Sequence, residues 1–374
     1  MNLAQTILVT GGAGYIGSVL IPKLLQLGYN VRVIDLLLYG KPYNWPESKI
    51  EFIYGDFREV DRVIEAVNGV TAVIHLGAIV GDPACQLNPI ITIETNLIAT
   101  RQIAQVAKTL GVKRFIFAST CSVYGYSQQQ LTEQSPLNPV SLYARTKIAA
   151  EKVLLTMEDE FFTPVILRFA TIYGNSFRPR FDLVVNLLAA MAEVEGKITI
   201  HGGNQWRPFV HVSDVCNAII KVLQAPKEVV SGEIFNVGAT TENYQISNIG
   251  QTIKQVLPNT KIIQSSNITD QRNYLVRFDK IEKSLGFQNT KTVRDGIEEI
   301  TQAIRLGWIK DYQAPEFNNH QFLQKTLNSS LGQVSPITTS VWYEISELGE
   351  PILEPFESFK PVFKSPIPNQ RRQS

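Results

Sequence analysis

Residues Thr10–Gly17 read TGGAGYIG, and this glycine-rich stretch is the most informative part of the chain. It follows residues 6–10, TILVT, whose apolar and β-branched side chains are typical of a buried parallel strand. The apolar-periodic residues 15–27 behind it predict a helix ended by Gly28. Glycines permit a tight turn, and a helix N-terminus offers N–H groups to a pyrophosphate. The residues predicted to bind a dinucleotide here are Gly11, Gly14, Tyr15, Ile16 and Gly17.

The second predicted strand is VRVID, residues 31–35, and it ends in Asp35, 18 residues after Gly17. An acidic residue at this place accepts hydrogen bonds from the adenosine ribose hydroxyls. It also repels a 2′-phosphate. Asp35 therefore favours NAD over NADP as the cofactor.

Strands and helices continue to alternate along the chain. Apolar runs at residues 51–55, 71–78 and 114–120 predict three more buried strands, and residues 96–110 predict a helix ended by Gly111. Such alternation predicts an α/β fold with a doubly wound parallel sheet, in which ligands bind at the carboxyl ends of the strands. The residues expected at such ends are Asp56, Leu76, Gly77, Ala78 and Thr120.

Tyr143 and Lys147 lie four residues apart in the run YARTK. If Ser141 caps a helix over residues 142–157, both side chains share one face of it. A free tyrosine has a pKa of about 10, which a nearby ammonium group and an oxidised nicotinamide ring would lower. Tyr143 would then remove a proton from a substrate hydroxyl. Lys147 would hold the cofactor ribose, and Thr120 would bind the reacting oxygen.

Composition favours a cytoplasmic enzyme without metal. The 374 residues are 44% hydrophobic, and 35 basic against 34 acidic residues give no electrostatic reason to expect nucleic acid. No apolar stretch approaches the roughly 18–20 residues that cross a bilayer, and the first strand leaves no room for a signal peptide. Three scattered cysteines argue against disulfides, and four histidines show no metal-ligand spacing.

The motifs of this chain resemble, in order, those of the extended short-chain dehydrogenase/reductases, specifically the NAD-dependent epimerase/dehydratase family. The resemblance spans residues 5–310. Beyond TGGAGYIG and Asp35, the matching stretches are GD (55–56), HLGA (75–78), Asn96, STCSVYG (119–125), YARTK (143–147), LRFATIYG (167–174), WRPFVHVSD (206–214) and FNVG (235–238).

The resemblance implies bound NAD and a nucleotide-diphospho-sugar substrate. It also implies a Rossmann domain over residues 1–175, to which the chain returns at 208–238. A smaller α/β substrate-binding domain is expected from residues 176–207 and 239–310. An irregular C-terminal extension, residues 311–374, would follow.

The same resemblance assigns individual roles. Thr120, Tyr143 and Lys147 align with the catalytic residues of the family. Phe57 and Asn96 align with cofactor-binding positions. The implied substrate site comprises Thr120, Cys121, Ser122, Asn186, Arg207 and Arg272. Asn186 and the two arginines are expected at the diphosphate, because the guanidinium fork matches phosphate oxygens.

Departures from the family pattern distinguish between reactions. Sugar 4,6-dehydratases of the family carry Asp-Glu after the catalytic threonine, and decarboxylating relatives place a glutamate in this stretch. Here Cys121 and Ser122 occupy the two positions, and neither has a carboxyl group. The pattern therefore favours epimerisation at C4 of a nucleotide-diphospho-hexose through a 4-keto intermediate. A one-way NAD(P)H-dependent ketoreductase is the alternative, followed by a 4,6-dehydratase and then by a non-enzymatic NAD-binding scaffold.

The last predictions concern the C-terminal extension and the subunit contact. Seven prolines fall in residues 311–374, which argues against a compact domain there. The run WYEISEL, residues 342–348, predicts at most a short strand or helix. By resemblance, a homodimer is expected to form through the helices around residues 96–110 and 142–157.

Overall fold

The computed structural model describes residues 5–266 and 272–327. In chain order the strands are β1 (Thr6–Thr10), β2 (Asn30–Asp35), β3 (Glu51–Tyr54), β4 (Ala72–His75), β5 (Arg114–Thr120), β6 (Tyr126–Leu131), β7 (Thr163–Phe169), β8 (Thr171–Tyr173), β9 (Lys197–His201), β10 (Trp206–His211), β11 (Ile234–Val237), β12 (Asn243–Gln245), β13 (Lys261–Ser265) and β14 (Asn273–Val276).

The helices lie between these strands. In chain order they are α1 (Gly17–Gln26), α2 (Val60–Val67), α3 (Asp82–Leu87), α4 (Pro89–Ile93), α5 (Ala99–Thr109), α6 (Leu142–Thr156), α7 (Val184–Glu195), α8 (Val212–Gln224), α9 (Lys227–Val230), α10 (Ile246–Val256), α11 (Asp279–Leu285), α12 (Val293–Arg305) and α13 (Asn319–Leu327). A π-helical turn, Glu94–Ile98, joins α4 to α5.

Seven of the strands form one parallel sheet, ordered β11-β7-β5-β4-β1-β2-β3. The chain leaves β1 toward β2 on one side and returns to β4 on the other. This reversal places a crevice at the carboxyl ends of β1 and β4, where such sheets bind ligands. The doubly wound α/β fold predicted from the sequence is confirmed.

Both faces of the sheet are buried, which explains why its strands read as continuous apolar runs. Ile7 and Val9 belong to one hydrophobic cluster, whereas Leu8 between them belongs to a second cluster on the opposite face. A third cluster lies outside the sheet. It is built mainly on α7, α10 and α12 and includes Tyr173 and Phe209. The domain limits given above stay a prediction.

The elements closest to the predicted site follow the sequence closely. Strands β1 and β5 have the predicted bounds, and α6 ends one residue before the predicted end. Ser141 caps α6, because its side chain accepts a hydrogen bond from the backbone N–H of Ala144 at 3.3 Å. At the helix predicted for residues 96–110, the helical segment begins earlier. It starts with α4 at Pro89, continues through the π-helical turn and ends with α5 at Thr109.

The first residues of the C-terminal extension are regular, unlike the irregular segment that composition predicts. A 3₁₀ turn, Pro315–Phe317, precedes α13, and the backbone N–H of Phe181 donates to the carbonyl of Phe317 at 2.8 Å. Helix α13 packs against α3, and the ring of Phe322 lies 5.1 Å from that of Tyr39. Aromatic packing therefore stabilises a helix in this segment in spite of its polar composition. Residues 328–374, including WYEISEL, lie outside the described residues.

The described part of the chain shows three further features. None of its helices is long and apolar enough to cross a membrane, and none of its His, Cys, Asp and Glu side chains form a group suited to a metal ion. The three cysteines, Cys85, Cys121 and Cys216, are buried as free thiols.

Candidate active site

The turn between β1 and α1 brings bare backbone to the carboxyl end of the sheet. Gly11 has a φ of +66°, and a Cβ there would lie 2.6 Å from the Cα of Gly77. A Cβ at Gly17 would lie 2.3 Å from the carbonyl oxygen of Gly12. Side chains at these positions would separate the turn from β4 and from the start of α1. The packing thus fits a pyrophosphate at the helix N-terminus, with Gly14, Tyr15 and Ile16 completing the turn.

Asp35 lies beside this turn, at the end of β2. One carboxylate oxygen accepts from the backbone N–H of Ala13 at 3.0 Å, and the other from the N–H of Leu37 at 2.8 Å. Burial raises the pKa of the Asp35 carboxyl above its ordinary value. An acceptor fixed next to the glycine turn fits the adenosine ribose of NAD.

The segment after β3 carries Asp56 and Phe57. The Asp56 carboxylate forms a salt bridge of 2.7 Å with Arg58, and it also accepts from the backbone N–H of that residue. The ring of Phe57 meets His75 edge to face at 5.7 Å. Burial lowers the pKa of His75 to about 3, so this histidine is neutral near pH 7 and packs in the core.

Residues 76–78 follow β4 into the crevice, and Asn96 fixes the backbone of the next residue, Ile79. The Asn96 amide oxygen accepts from the backbone N–H of Ile79 at 2.8 Å, and its nitrogen donates to the Ile79 carbonyl at 2.9 Å. The Gly77 N–H lies 3.4 Å from the hydroxyl oxygen of Thr10 on β1. Asn96 thus acts on this loop through the backbone, and the π-helical turn that holds it is a device often found at functional sites.

Thr120, Tyr143 and Lys147 come together at the end of β5. The Tyr143 hydroxyl lies close enough to the Thr120 side chain for Thr120 to lower the pKa of Tyr143. Lys147 Nζ donates to the carbonyl of Ala118 at 2.8 Å and lies 6.0 Å from the centre of the Tyr143 ring. The one-turn spacing of Tyr143 and Lys147 on α6 places both on the face that meets β5.

Burial works against the charged forms of both α6 side chains. It raises the pKa of Tyr143 above its ordinary value, and Cys85 and Asp82 raise it further, whereas Arg180 and Thr120 lower it. Burial also lowers the pKa of Lys147 to about 8. Positive charge from Lys147 and from the oxidised cofactor is therefore needed before Tyr143 can act as a base.

Arg272 contacts Ser122, and Arg207 packs on Tyr274. Arg272 donates to the Ser122 hydroxyl at 3.2 Å and lies 3.8 Å from an oxygen of Asp82. Arg207 is buried, with its guanidinium 5.4 Å from the ring of Tyr274. Burial raises the pKa of Tyr274, whereas Arg272, Arg207 and Ser122 lower it, so this tyrosine lies near all three, although the sequence did not single it out.

Two residues predicted to bind substrate face elsewhere. The Asn186 amide accepts from the Gly174 N–H at 2.9 Å and donates to the Tyr15 hydroxyl at 3.2 Å. The Cys121 thiol donates to the carbonyl of Arg168 and packs in the sheet core. Burial raises the pKa of this thiol far above its ordinary value, which removes it from acid–base chemistry near neutrality.

Sequence reasoning missed two arginines in the run FRPRFD, of which Arg178 is buried and Arg180 is largely buried. Arg180 forms a paired contact with Asp182, at 2.9 and 2.7 Å, and acts electrostatically on Tyr143. Arg178 lies 4.1 Å from the ring of Tyr39 and donates to Asn319 at 2.8 Å. The available signal was the placement of two cations in an otherwise apolar stretch just after LRFATIYG.

A glycine turn, a carboxylate fixed beside it and a Thr–Tyr–Lys trio are typical of a dinucleotide-binding enzyme of the dehydrogenase type. The family model for the NAD-dependent epimerase/dehydratase family matches residues 7–238. The chain belongs to this family, and its cofactor is NAD. The glycine turn and Asp35 fit that cofactor on their own geometry.

The chain is similar to several sugar-nucleotide enzymes. The uncharacterized UDP-glucose epimerase YtcB of Bacillus subtilis is 30% identical over 306 residues, which cover 78% of this chain and 95% of YtcB. The solved UDP-glucose 4-epimerase of Thermotoga maritima, determined with UDP-glucose, is 25% identical with a TM-score of 0.74 and covers 81% of this chain and 100% of its own. MoeE5, solved with UDP-glucuronic acid and NAD, is 26% identical with a TM-score of 0.72, covering 81% and 99%.

Proposed function

We propose that this protein is an NAD-dependent epimerase acting at C4 of a nucleotide-diphospho-hexose. The observation that carries the proposal is that Thr120, Tyr143 and Lys147 meet at the end of β5, and that the two residues after Thr120 lack carboxyl groups. Loss of water or of carbon dioxide needs an additional acid or base near the sugar. Cys121 cannot supply one, because its thiol is buried toward Arg168.

The chain's own residues divide the work at C4. Tyr143 takes the proton of the C4 hydroxyl, and Thr120 donates a hydrogen bond to the oxygen as it becomes a carbonyl. The Lys147 ammonium favours the deprotonated form of Tyr143. The glycine turn, Asp35 and Lys147 would hold NAD, which would supply a hydride acceptor for C4 and then a hydride donor. Epimerisation then requires that the 4-keto sugar present its opposite face, after which Tyr143 gives the proton back.

Arg207, Arg272 and Ser122 are proposed to hold the diphosphate. Two guanidinium groups, one half-buried beside the Ser122 hydroxyl and one buried against the Tyr274 ring, suit an anion with several oxygens. Binding would then break the long contact of 3.8 Å between Arg272 and Asp82 and leave that carboxylate facing the sugar. The similarity to enzymes named for UDP-glucose makes a UDP-hexose the first substrate class to test.

The proposal is tested by incubating the purified protein with NAD and a panel of UDP-, GDP-, dTDP- and CDP-hexoses, without added reductant. Mass-resolved chromatography should show a new isomer of unchanged mass for one nucleotide. A product lighter by one water contradicts the proposal and indicates a dehydratase. Conversion only of a keto-sugar, and only with added NADH, contradicts it in favour of a ketoreductase.

The homodimer expected from the sequence also stays a proposal. The pair of helices proposed for the contact is α5 and α6. Light scattering of the purified protein measures the mass directly, and the mass of a single chain would contradict the pairing.

A further inference from the structure

A buried polar network lies directly below Tyr143 and Lys147, and the mechanism above does not use it. Glu151 follows Lys147 by four residues on α6, so Tyr143, Lys147 and Glu151 form one row along the helix. The exposed fraction of the Glu151 side chain is 3%, and the side chain of its partner, Arg168 on β7, is equally buried. Removing two charged side chains from water costs free energy, so a buried ion pair next to Tyr143 and Lys147 suggests a role beyond stability.

The Glu151 carboxylate joins three elements of the sheet and its helix layer. Arg168 Nη2 donates to one oxygen at 2.6 Å, and Arg168 Nε donates to the other at 3.0 Å. The Ser119 hydroxyl donates to the same carboxylate. Because Ser119 directly precedes Thr120, this bond ties α6 to the strand end that carries the catalytic hydroxyl.

The far side of Arg168 is also satisfied. Its Nη1 donates to the Tyr124 hydroxyl at 3.1 Å, which donates in turn to the amide oxygen of Asn236 on β11 at 2.8 Å. The Glu151–Arg168 pair is thus anchored on both sides of β7, and these bonds hold the Glu151 carboxylate in one position.

We propose that Glu151 is a positioning residue, which sets the distance between Tyr143 and Thr120 through Ser119 and keeps Lys147 in its charged form. This proposal rests on the proposed function. It assigns to Glu151 no contact with substrate or cofactor.

The electrostatic part follows from what surrounds Lys147. His75 on β4 is neutral and the Cys85 thiol on α3 is protonated, because burial shifts both of their pKa values in that direction. In the protein without bound cofactor Tyr143 is protonated and uncharged, because burial raises its pKa. Glu151 is therefore the carboxylate that offsets part of the burial cost of the Lys147 ammonium, since a protonated Cys85 carries no negative charge, and it raises the pKa of Lys147 against that burial.

The test compares wild type with E151Q, which keeps the side-chain length but removes the charge. Lysine labelled with ¹³C at Cε reports the titration of Lys147 by NMR, with Lys147→Met identifying the resonance. The midpoint should fall by about one pH unit in E151Q. With the sugar nucleotide that the panel identifies as the substrate, kcat of E151Q should then fall about tenfold at pH 8.5 but less than twofold at pH 6.5.

A second variant keeps the test decisive if E151Q does not fold. E151D retains a carboxylate for Arg168 but is one methylene too short to keep the Ser119 bond. Its Lys147 midpoint should stay near that of wild type, whereas kcat should fall about tenfold at both pH values with NAD affinity unchanged. Glu242→Gln, which alters another buried glutamate bonded to the backbone N–H of Val293, should change neither readout.

Two results would overturn the proposal. One is a Lys147 midpoint in E151Q equal to that of wild type, with kcat lowered equally at both pH values. The other is a wild-type kcat in E151D. Because the NMR titration needs no turnover, it tests the electrostatic role even if no sugar nucleotide is converted and the proposed function fails.

Discussion

Replacing Tyr143 by phenylalanine separates chemistry from folding in this protein. The substitution removes one hydroxyl, which lies beside Thr120 on the reacting side. Thr120 Oγ1 still accepts from the Ser122 N–H at 3.1 Å, so the buried acceptor keeps a partner. The free energy of unfolding should therefore fall by no more than one neutral hydrogen bond contributes, about 0.5–1.5 kcal/mol. Its ring packing is retained.

The effect on turnover should be larger. Proton transfer by a positioned side chain contributes about 10²–10⁴-fold, which corresponds to roughly 2.7–5.4 kcal/mol at 1.36 kcal/mol per tenfold. The assay measures kcat on the converted sugar nucleotide, NAD affinity, and urea unfolding for each variant. Tyr312→Phe is the matched control. Tyr312 belongs to the third hydrophobic cluster, and the substitution removes its hydroxyl, which bonds to Glu195. Wild-type kcat in Tyr143→Phe, or equal losses in both variants, would refute the reasoning.

Three further predictions concern the cofactor, pH and the C-terminal helix. Asp35→Ala should lower the ratio of NAD to NADP affinity, because it removes the ribose acceptor and the repulsion of a 2′-phosphate; an unchanged ratio of the two Kd values contradicts the assignment. Burial lowers the pKa of Lys147 to about 8, so between pH 8 and its unfolded value near 10.4 the unfolded chain binds more protons and stability rises with pH. The stability advantage of Lys147→Met over wild type should therefore shrink between pH 7.5 and 9.5 in urea unfolding, and a constant difference argues against it. Phe322→Ala should cost about 2 kcal/mol of stability, against less than about 0.5 for the 77% exposed Phe161→Ala; equal Tm values for the two would show that α13 does not dock on Tyr39.

Local signals predicted the Rossmann core well. The apolar run of β5, the serine before α6 and the four-residue spacing of Tyr143 and Lys147 are all encoded within one element each. Parallel strands buried on both faces leave little choice of layer, so the carboxyl-end rule was enough to bring Thr120 to Tyr143.

Side-chain direction could not be predicted in the same way. Cys121 and Ser122 are neighbours, yet the thiol enters the core and the hydroxyl meets Arg272. Asn186 lies on α7, but its amide is occupied by Gly174 and Tyr15. These outcomes depend on contacts between residues far apart in the chain. No local pattern reports them.

The C-terminal helix shows the limit of composition as evidence. A segment rich in proline was expected to be irregular, but α13 needs only a few anchors. Asn319 accepts from buried Arg178, and Phe322 packs on Tyr39. The partners for these anchors lie more than a hundred residues earlier, so they appear only in the folded chain.

The most direct measurement of the central claim is a reaction run in D₂O with the converted nucleotide-hexose, followed by NMR and mass spectrometry. Epimerisation by hydride removal and return within one active site predicts a C4 epimer of unchanged mass, with no deuterium on any ring carbon. Carbon-bound deuterium in the product, or the loss of water, would contradict the account.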